Sequence, residues 1–440
     1  MTSRSVLAIV AAAMFVVAPS QAAARNARHR GSRKAVRPPE LVWYVETVGG
    51  QVLDARGEDV AINPASVVKI ATSWWALEKL GPDHRFTTRF CARGTIDASR
   101  GLLKGDLIVH GAGDPDFQAE SAFLVAQALN RMGIRKVTGE VVVDGTFWMG
   151  WENGSQGINP DPVKRGTLMA TRLRQALDVR RWSHATRQTW QACVSKHDMP
   201  GSPLPSVEVI GGARFENSPR GAETALFEHR SKPLAETLRR FNAFSNNDIE
   251  RVAASIGSPS DLSVLLADRL VAGTVPVHVQ TASGLGENRL TPRQIVAMLR
   301  GFRSAAASLG VDIQHLLPVA GCDPGTVNAA FPRLSSPPYA TALVAKTGTL
   351  TSTDGGITVL AGFLNTAQGE VVFCVAAPHA AGRIRLARHT EESFVVDLLN
   401  RRGGAVPRTC APPLASPEGD ASIVASQLAS LGAAGAASQR

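Results

Sequence analysis

Three short apolar segments near the C-terminal end of the 440-residue chain limit the folds that it can adopt. These segments are rich in small and β-branched residues and cover 342–346, 357–364 and 371–376. Segments of this kind, separated by polar turns, predict consecutive antiparallel strands. Helical periodicity occurs on both sides of them, at 234–241, 248–256, 262–270, 292–302 and 385–399. A strand meander between groups of helices predicts an α+β fold.

The beginning of the folded region adds a hairpin and a helix. Residues 41–47 and 51–54 are the two predicted strands of the hairpin. Asn63 is the predicted N-cap of the following helix, with Pro64 as its first residue and Gly81-Pro82 as its end.

Between residues 87 and 226 the pattern changes to short strands and turns, with one predicted helix at 120–132. We interpret this region as a second, strand-rich domain that is inserted into the first. The predicted parts are a signal peptide at 1–24, a basic linker at 25–39, a main domain at 40–86 and 227–402, an inserted domain at 87–226 and a tail at 403–440. The tail is rich in Ala, Ser, Gly and Pro, which predicts loose packing.

The N-terminus predicts export. Arg4 precedes an apolar run at 6–18, and the small residues at 20–24 suit cleavage by a signal peptidase. The run is short for a permanent membrane helix, and no second run of about 20 apolar residues follows it. An uncleaved anchor is the alternative. We therefore expect a protein of the periplasm or cell envelope with at most peripheral membrane contact.

The net charge of +10 favours anionic partners such as a wall polymer or a membrane surface. The basic residues are dispersed and do not cluster with aromatic residues, so nucleic-acid binding is not predicted. The five cysteines contain no CxxC pair, and the sequence therefore predicts no metal site. Their odd number leaves at least one outside an intramolecular disulfide. Cys374 lies in an apolar strand and is expected to be a buried thiol.

A serine and a lysine stand three positions apart near the start of the first helix. This spacing places Ser66 and Lys69 on one helical face, within reach of a hydrogen bond. A serine hydroxyl becomes a good nucleophile when a base takes its proton, and a lysine can be that base if its pKa is lowered. The alternative interpretation is an ordinary exposed helical face.

Two further segments carry polar groups that suit a substrate cleft. Ser245-Asn246-Asn247 lies between two predicted helices, and its alternative role is to cap the second of them. Lys346-Thr347-Gly348-Thr349 ends a predicted strand, and its alternative role is that of a simple strand end. The order and setting of the three segments match the serine–lysine acyl-transfer signature.

With these motifs, the chain resembles the D-alanyl-D-alanine carboxypeptidase/endopeptidase family, the low-molecular-mass class C penicillin-binding proteins. The resemblance extends from about residue 41 to about residue 399. It is carried by the stretches at 63–69, 80–87, 104–107, 113–115, 232–234, 245–247, 283–285, 288–290, 317–321, 346–350 and 360–363. It implies a serine β-lactamase-like transpeptidase domain, with an antiparallel sheet flanked by helices.

The resemblance also implies an activity. The chain is expected to be a serine-type D-Ala-D-Ala carboxypeptidase, with or without endopeptidase activity, that acts on peptidoglycan stem peptides without a cofactor. β-Lactam antibiotics are the expected inhibitors. The implied catalytic residues are Ser66, Lys69 and Ser245. The implied substrate-binding residues are Asn247, Lys346, Thr347, Gly348 and Thr349, with the carboxylate of the substrate on Lys346 and Thr347.

The sequence departs from the family pattern in three places. Thr281-Ala282 replaces a usual Asp-Gly, and Gly286 stands where serine is common. Only 179 positions separate Ser66 from Ser245, which predicts a reduced inserted region. Two other functions fit the same motifs: a β-lactamase, and a wall-binding protein that has lost catalysis.

Overall fold

The computed structural model describes residues 39–152, 159–196, 204–270, 275–414, 416 and 421–425. Its first sheet has five antiparallel strands in the order β10-β11-β12-β1-β2. These strands are β1 (Val42–Thr47), β2 (Val52–Arg56), β10 (Leu343–Leu350), β11 (Ile357–Thr366) and β12 (Gly369–Pro378). The predicted hairpin and meander are both confirmed, and the pairing of β1 with β12 joins them.

Helices cover both faces of this sheet. They are α1 (Val68–Leu80), α5 (Leu234–Phe244), α6 (Ile249–Ala254), α7 (Pro259–Arg269), α8 (Pro292–Ser308), α9 (Thr326–Ala330) and α10 (Ile384–Arg401). Ala361 and Cys374 share a core with α1 and α8, whereas Leu360 and Phe373 share a core with α10. Successive side chains of a strand point to opposite faces of the sheet. The strands of a sheet that is buried on both faces therefore have continuous apolar sequences. The α+β class, with an antiparallel sheet flanked by helices, is confirmed.

The first helix begins later than predicted. A 3-10 turn covers Ala65–Val67 and leads directly into α1 at Val68. Ala65 has a φ of 48°, a conformation that interrupts a helix, and therefore Pro64 is not the first helical residue. Asn63 still acts near this end, because its side-chain oxygen accepts a hydrogen bond from the Ala65 N–H at 3.0 Å.

A second sheet has eight strands and its own apolar core. Seven of them are β3 (Thr87–Asp97), β4 (Leu102–His110), β5 (Lys136–Val137), β6 (Glu140–Val143), β7 (Glu208–Val209), β8 (Gly212–Phe215) and β9 (Thr224–Arg230). The β9 strand crosses the predicted boundary at residue 226, and the division into two domains stays a prediction.

The prediction of a single helix in this region is wrong. Besides α2 (Ala119–Arg131), the structure contains α3 (Pro162–Leu177) and α4 (His184–Lys196). Asp161 caps α3 by accepting hydrogen bonds from two backbone N–H groups. The Phe215 side chain packs against Gly166 of α3, where a Cβ would otherwise lie.

The expectation of a loosely packed tail is wrong for the described part of it. Cys410 forms a disulfide with Cys322, and the Pro412 carbonyl oxygen accepts a hydrogen bond from the buried Arg239 at 2.6 Å. The eighth strand of the second sheet is β13 (Ser422–Ala425), which pairs with β9. Cys374 is fully buried on β12, as predicted.

Among the described residues, no helix is both long enough and apolar enough to span a membrane. The predicted signal peptide and nearly all of the predicted basic linker lie outside the described part of the chain.

Candidate active site

Ser66 and Lys69 meet at the start of the first helix, as their spacing predicts. Ser66 lies in the 3-10 turn and Lys69 in the first turn of α1, and the Lys69 Nζ donates a hydrogen bond to the Ser66 Oγ at 2.9 Å. Ser66 is half-buried and Lys69 is fully buried. The hydroxyl is therefore reachable from solvent, whereas its amine partner is not.

The buried amine has two further hydrogen-bond acceptors. Lys69 Nζ donates to Asn247 Oδ1 at 2.8 Å and to the Ser283 carbonyl oxygen at 2.5 Å. Burial lowers the pKa of Lys69 from 10.5 to about 7, although the nearby Glu250 carboxylate opposes this shift. A base whose pKa lies near the working pH is well suited to accept a proton. Lys69 can therefore be uncharged in a substantial fraction of molecules at neutral pH.

A second lysine holds a second hydroxyl. Ser245 ends α5 with a φ of 54°, and its Oγ accepts a hydrogen bond from Lys346 Nζ at 2.8 Å. Lys346 Nζ also donates to the Thr347 carbonyl oxygen at 2.8 Å. Burial lowers the pKa of Lys346 well below its usual value, and the positive charge of Lys69 lowers it further. The structure thus contains two lysine–serine pairs in which burial disfavours the ammonium form.

The middle residue of the 245–247 segment makes a local hydrogen bond. Asn246 Oδ1 accepts a hydrogen bond from the Asp248 N–H at 2.8 Å, just before α6 begins. Ser245 and Asn247 point elsewhere, to the two lysines. No side chain of this segment caps α6, and the role of Ser245 and Asn247 in a substrate cleft stays a prediction.

Two glycines allow the backbones around Ser66 to approach each other. A Cβ on Gly284 would lie 1.9 Å from the Ala65 carbonyl oxygen, and Gly284 also has a φ of 84°. A Cβ on Gly348 would lie 2.5 Å from the Pro64 carbonyl oxygen. Any side chain at either position would push the Ser66 turn away from its neighbours. This explains why the Lys346-Thr347-Gly348-Thr349 segment needs its glycine.

A cavity of about 180 Å³ opens beside Ser66. It is lined by Ser66, Ser245, Thr326, Ala329, Ala330, Thr347, Thr349 and Arg388. Four of the predicted site residues therefore share one cavity, and three others, Lys69, Asn247 and Lys346, support it through the hydrogen bonds described above. None of these eight lining residues is a His, Cys, Asp or Glu, so the cavity walls offer none of the side chains that usually bind metals.

Four lining residues were not predicted from the sequence: Thr326, Ala329, Ala330 and Arg388. Thr326 Oγ1 lies 2.7 Å from Thr347 Oγ1, and Arg388 Nη2 donates to Thr349 Oγ1 at 3.0 Å. Arg388 belongs to α10, whose periodicity marks a helix but does not distinguish this arginine from its neighbours. Only the packing of α10 against β11 brings it to the cavity.

The departures from the family pattern are accommodated locally. Thr281 Oγ1 donates a hydrogen bond to the Leu285 carbonyl oxygen at 2.7 Å, and Ala282 presents its carbonyl oxygen to Thr72 Oγ1 at 2.6 Å. A Cβ on Gly286 would lie 2.2 Å from Gln280 Oε1, so a serine there would require the Gln280 side chain to move. The Ser66–Lys69 contact is formed in the presence of all these departures.

Solved structures of penicillin-binding peptidases have folds similar to that of this chain. A predatory peptidoglycan endopeptidase from Bdellovibrio bacteriovorus is 20% identical with a TM-score of 0.70, covering 87% of this chain and 98% of that one. Penicillin-binding protein 4 from Haemophilus influenzae is 18% identical with a TM-score of 0.56, covering 81% of this chain and 96% of that one.

The family model of D-Ala-D-Ala carboxypeptidase 3 (S13) matches residues 41–167 and 206–388, and the chain belongs to this family. A D-alanyl-D-alanine carboxypeptidase of Actinomadura sp. (strain R39) is 24% identical, with 83% of this chain and 82% of that protein covered. The family resemblance inferred from the sequence is confirmed, and the chain is a peptidase by family.

We predict that Gly284→Ala lowers kcat/KM on a peptide ending in D-Ala-D-Ala by about 100-fold, because the added Cβ displaces the Ser66 turn. Gly310→Ala is the matched control. Gly310 also has a positive φ, of 73°, but an added Cβ would meet no atom within 4 Å. Gly310→Ala should therefore be somewhat less stable than the unaltered protein but should keep its kcat/KM. Equal rates in the two variants would mean that the close approach at Gly284 does not position Ser66.

Proposed function

We propose that the chain is a serine-type D-Ala-D-Ala carboxypeptidase that acts on peptidoglycan stem peptides through an acyl-enzyme. The observation that carries this proposal is the 2.9 Å hydrogen bond between Ser66 Oγ and the fully buried Lys69 Nζ, at the edge of a cavity. The cavity is small and open on one side, as a site for the end of a peptide must be. Family membership supports the substrate class.

In the first step, Lys69 takes the proton of Ser66 as the Ser66 Oγ attacks the carbonyl between the two D-alanines. The backbone N–H groups of Ser66 and Thr349 are the proposed oxyanion donors, because both residues line the cavity. The bond to the terminal D-alanine then breaks, and the remaining peptide is held as an ester on Ser66. Water hydrolyses this ester in the second step.

Ser245 is the proposed proton donor to the departing amine. Its Oγ already accepts a hydrogen bond from Lys346, so its own hydroxyl proton is free to point into the cavity that it lines. A hydroxyl held in this way can pass a proton to the leaving nitrogen and recover one from the lysines behind it. Asn247, which binds Lys69, would also hydrogen-bond the peptide.

Arg388 is the proposed anchor for the terminal carboxylate, together with Thr347 and Thr349. The sequence assigned the carboxylate to Lys346 and Thr347. Lys346, however, is fully buried, and its Nζ hydrogen-bonds Ser245 Oγ and the Thr347 carbonyl oxygen. Arginine keeps its charge at all physiological pH values. Arg388 is the only charged residue among the eight described residues that line the cavity.

β-Lactam binding and export complete the proposal. One structural relative, a Bdellovibrio bacteriovorus endopeptidase, has been solved in a form acylated by penicillin G, which supports β-lactam acylation of Ser66. The endopeptidase names among the relatives support a second activity on cross-linked peptides. The apolar N-terminal run supports export to the periplasm or cell envelope, where this substrate occurs.

The direct test is Ser66→Ala. We expect this variant to lose both labelling by a fluorescent penicillin and release of D-alanine from a stem peptide, because no nucleophile remains. Ser308→Ala, which changes an exposed serine at the end of α8, should keep both. Full labelling of Ser66→Ala would exclude Ser66 as the nucleophile. Release of the label within seconds in the unaltered protein would identify a β-lactamase instead.

We predict that Arg388→Ala lowers kcat/KM about 10- to 100-fold for a peptide with a free terminal carboxylate, the range expected for a lost hydrogen bond to a charged group. The same peptide with a C-terminal amide should be affected little. Arg385→Ala, an exposed arginine in the first turn of the same helix, is the matched control. If Arg388→Ala lowers the rates on both peptides equally, Arg388 does not recognise the carboxylate.

The pH profile tests Lys69 as the base. Activity should rise with pH through the pKa of Lys69, about 7, because only the uncharged amine accepts a proton. The Glu250 carboxylate is the charged group that raises the pKa of this amine. Glu250→Gln removes the negative charge and keeps a hydrogen-bond acceptor for Ser283. We therefore expect the acid limb of the kcat/KM profile to move to lower pH.

The control for this shift is Glu287→Gln, an exposed carboxylate in a neighbouring loop. Its profile should match that of the unaltered protein. An acid limb that stays in place or moves to higher pH in Glu250→Gln would contradict the assignment of Lys69 as the titrating base.

A further inference from the structure

A second group of reactive side chains lies on the eight-stranded sheet, and none of its members lines the cavity beside Ser66. Cys91 belongs to β3, His110 is the last residue of β4, and Glu223 directly precedes β9. One ligand atom from each residue lies within 4.8 Å of the other two. A thiol, an imidazole and a carboxylate are therefore brought together from three separate parts of the chain.

The three side chains lie on the same face of the sheet. Cys91, Ile108 and Val142 form a small apolar cluster with Ala225, separate from the main core of this sheet. His110 follows Ile108 by two positions, and residues two apart in a strand face the same side. The pairing of β3 with β9 shifts its register between Phe90 and Cys91. Such bulges re-aim a side chain and often occur beside functional sites.

The imidazole is held in place from both sides. His110 Nε2 lies 2.8 Å from Glu223 Oε2, and His110 Nδ1 lies 3.5 Å from Asp144 Oδ2. The other oxygen of Asp144 accepts hydrogen bonds from three backbone N–H groups, those of Gly111, Thr146 and Phe147. A carboxylate that faces the second nitrogen of a histidine is the usual way to orient a metal-binding imidazole.

Glu223 has an oxygen without a partner. Its Oε2 contacts His110, whereas its Oε1 is buried and has no hydrogen-bond partner among the described residues. An unpaired buried carboxylate oxygen is costly, and a bound cation removes this cost. The side chains of His110 and Glu223 are 25% and 17% exposed, so a cation can reach them from solvent.

We propose that Cys91, His110 and Glu223 bind one zinc ion, with Asp144 orienting His110 as the partner of its second nitrogen. A mixed set of sulfur, nitrogen and oxygen ligands suits Zn²⁺, which prefers four ligands in a tetrahedron. Three protein ligands leave the fourth position to water. The ion would join β3, β4 and the start of β9, which are three neighbouring parts of one sheet.

The sequence predicted no metal site, because the cysteines are scattered. The ligands of this site are 19 and 113 positions apart along the chain, and no local spacing could reveal them. The competing explanation is a metal-free cluster in which His110 and Glu223 share a hydrogen bond beside a buried thiol.

The test uses the purified chain with any affinity tag removed, stripped by a chelator and handled without oxygen or added reductant, so that the Cys322–Cys410 disulfide stays intact. Titration with Co²⁺ should saturate at one ion per chain and give a near-ultraviolet sulfur-to-cobalt charge-transfer band. Zn²⁺ should displace the Co²⁺ and abolish this band. Absence of a stoichiometric, Zn²⁺-sensitive band in the unaltered protein would overturn the proposal.

Variants assign the ligands. Cys91→Ser should lose the band and bind Zn²⁺ more than about tenfold more weakly, since even residues that only orient a ligand contribute 10- to 100-fold. Cys193→Ser, a cysteine on α4 outside the cluster, should keep both properties. Circular dichroism and hydrolysis of a D-Ala-D-Ala peptide verify folding. If Cys91→Ser does not fold, Glu223→Gln provides the same comparison, and unchanged Zn²⁺ affinity in the folded variant would refute the site.

Discussion

The candidate site depends on a fully buried lysine, Lys69, whose pKa is lowered by burial. Lys69 is fully enclosed, and its pKa falls from 10.5 to about 7. Each pKa unit corresponds to about 1.4 kcal/mol, so protonating this amine inside the protein costs about 5 kcal/mol more than in water. The Lys69 amine binds a proton more tightly in the unfolded chain than in the folded protein. Below pH 10.5, the folded protein is therefore less stable than it would be with an exposed lysine at this position. This cost falls on an amine that lies within hydrogen-bond distance of the Ser66 hydroxyl.

The surrounding backbone is arranged around this contact. Ala65 and Ser245 both have positive φ values, a conformation that residues other than glycine seldom adopt. The conformation of Ala65 positions the hydroxyl of the next residue, Ser66. The conformation of Ser245 positions its own hydroxyl. Strain of this kind persists only where the surrounding structure enforces it, and it is often found at functional sites. Here the close contacts made by Gly284 and Gly348 hold the Ser66 turn in place.

Much of the architecture and the central residues could be predicted from the sequence. The meander is visible because β11 and β12 are buried on both faces over most of their length and are therefore mainly apolar. Ser66 and Lys69 could be paired because three positions along a helix bring two side chains together. Ser245 and Lys346 could be added only through the combination of motifs, because they are 101 positions apart.

The remaining features depend on contacts that are distant in the sequence. Arg388 reaches the cavity through the packing of α10, and no motif surrounds it. The α3 helix is the exception, because Met169, Leu173 and Leu177 follow helical spacing and the sequence therefore contained a local signal that the prediction overlooked. The tail was expected to be loose because composition cannot show that Cys410 pairs with Cys322 or that a short strand adds to β9.

The protonation state of Lys69 is the most direct test of this account. Lysine side chains can be labelled with ¹⁵N or ¹³C and titrated by NMR, and Lys69→Arg identifies the resonance by its loss. The account predicts that this resonance titrates near pH 7 in the free protein. A Lys69 resonance that titrates near 10.5, like that of an exposed lysine, would show a permanently charged side chain and would contradict its role as the base.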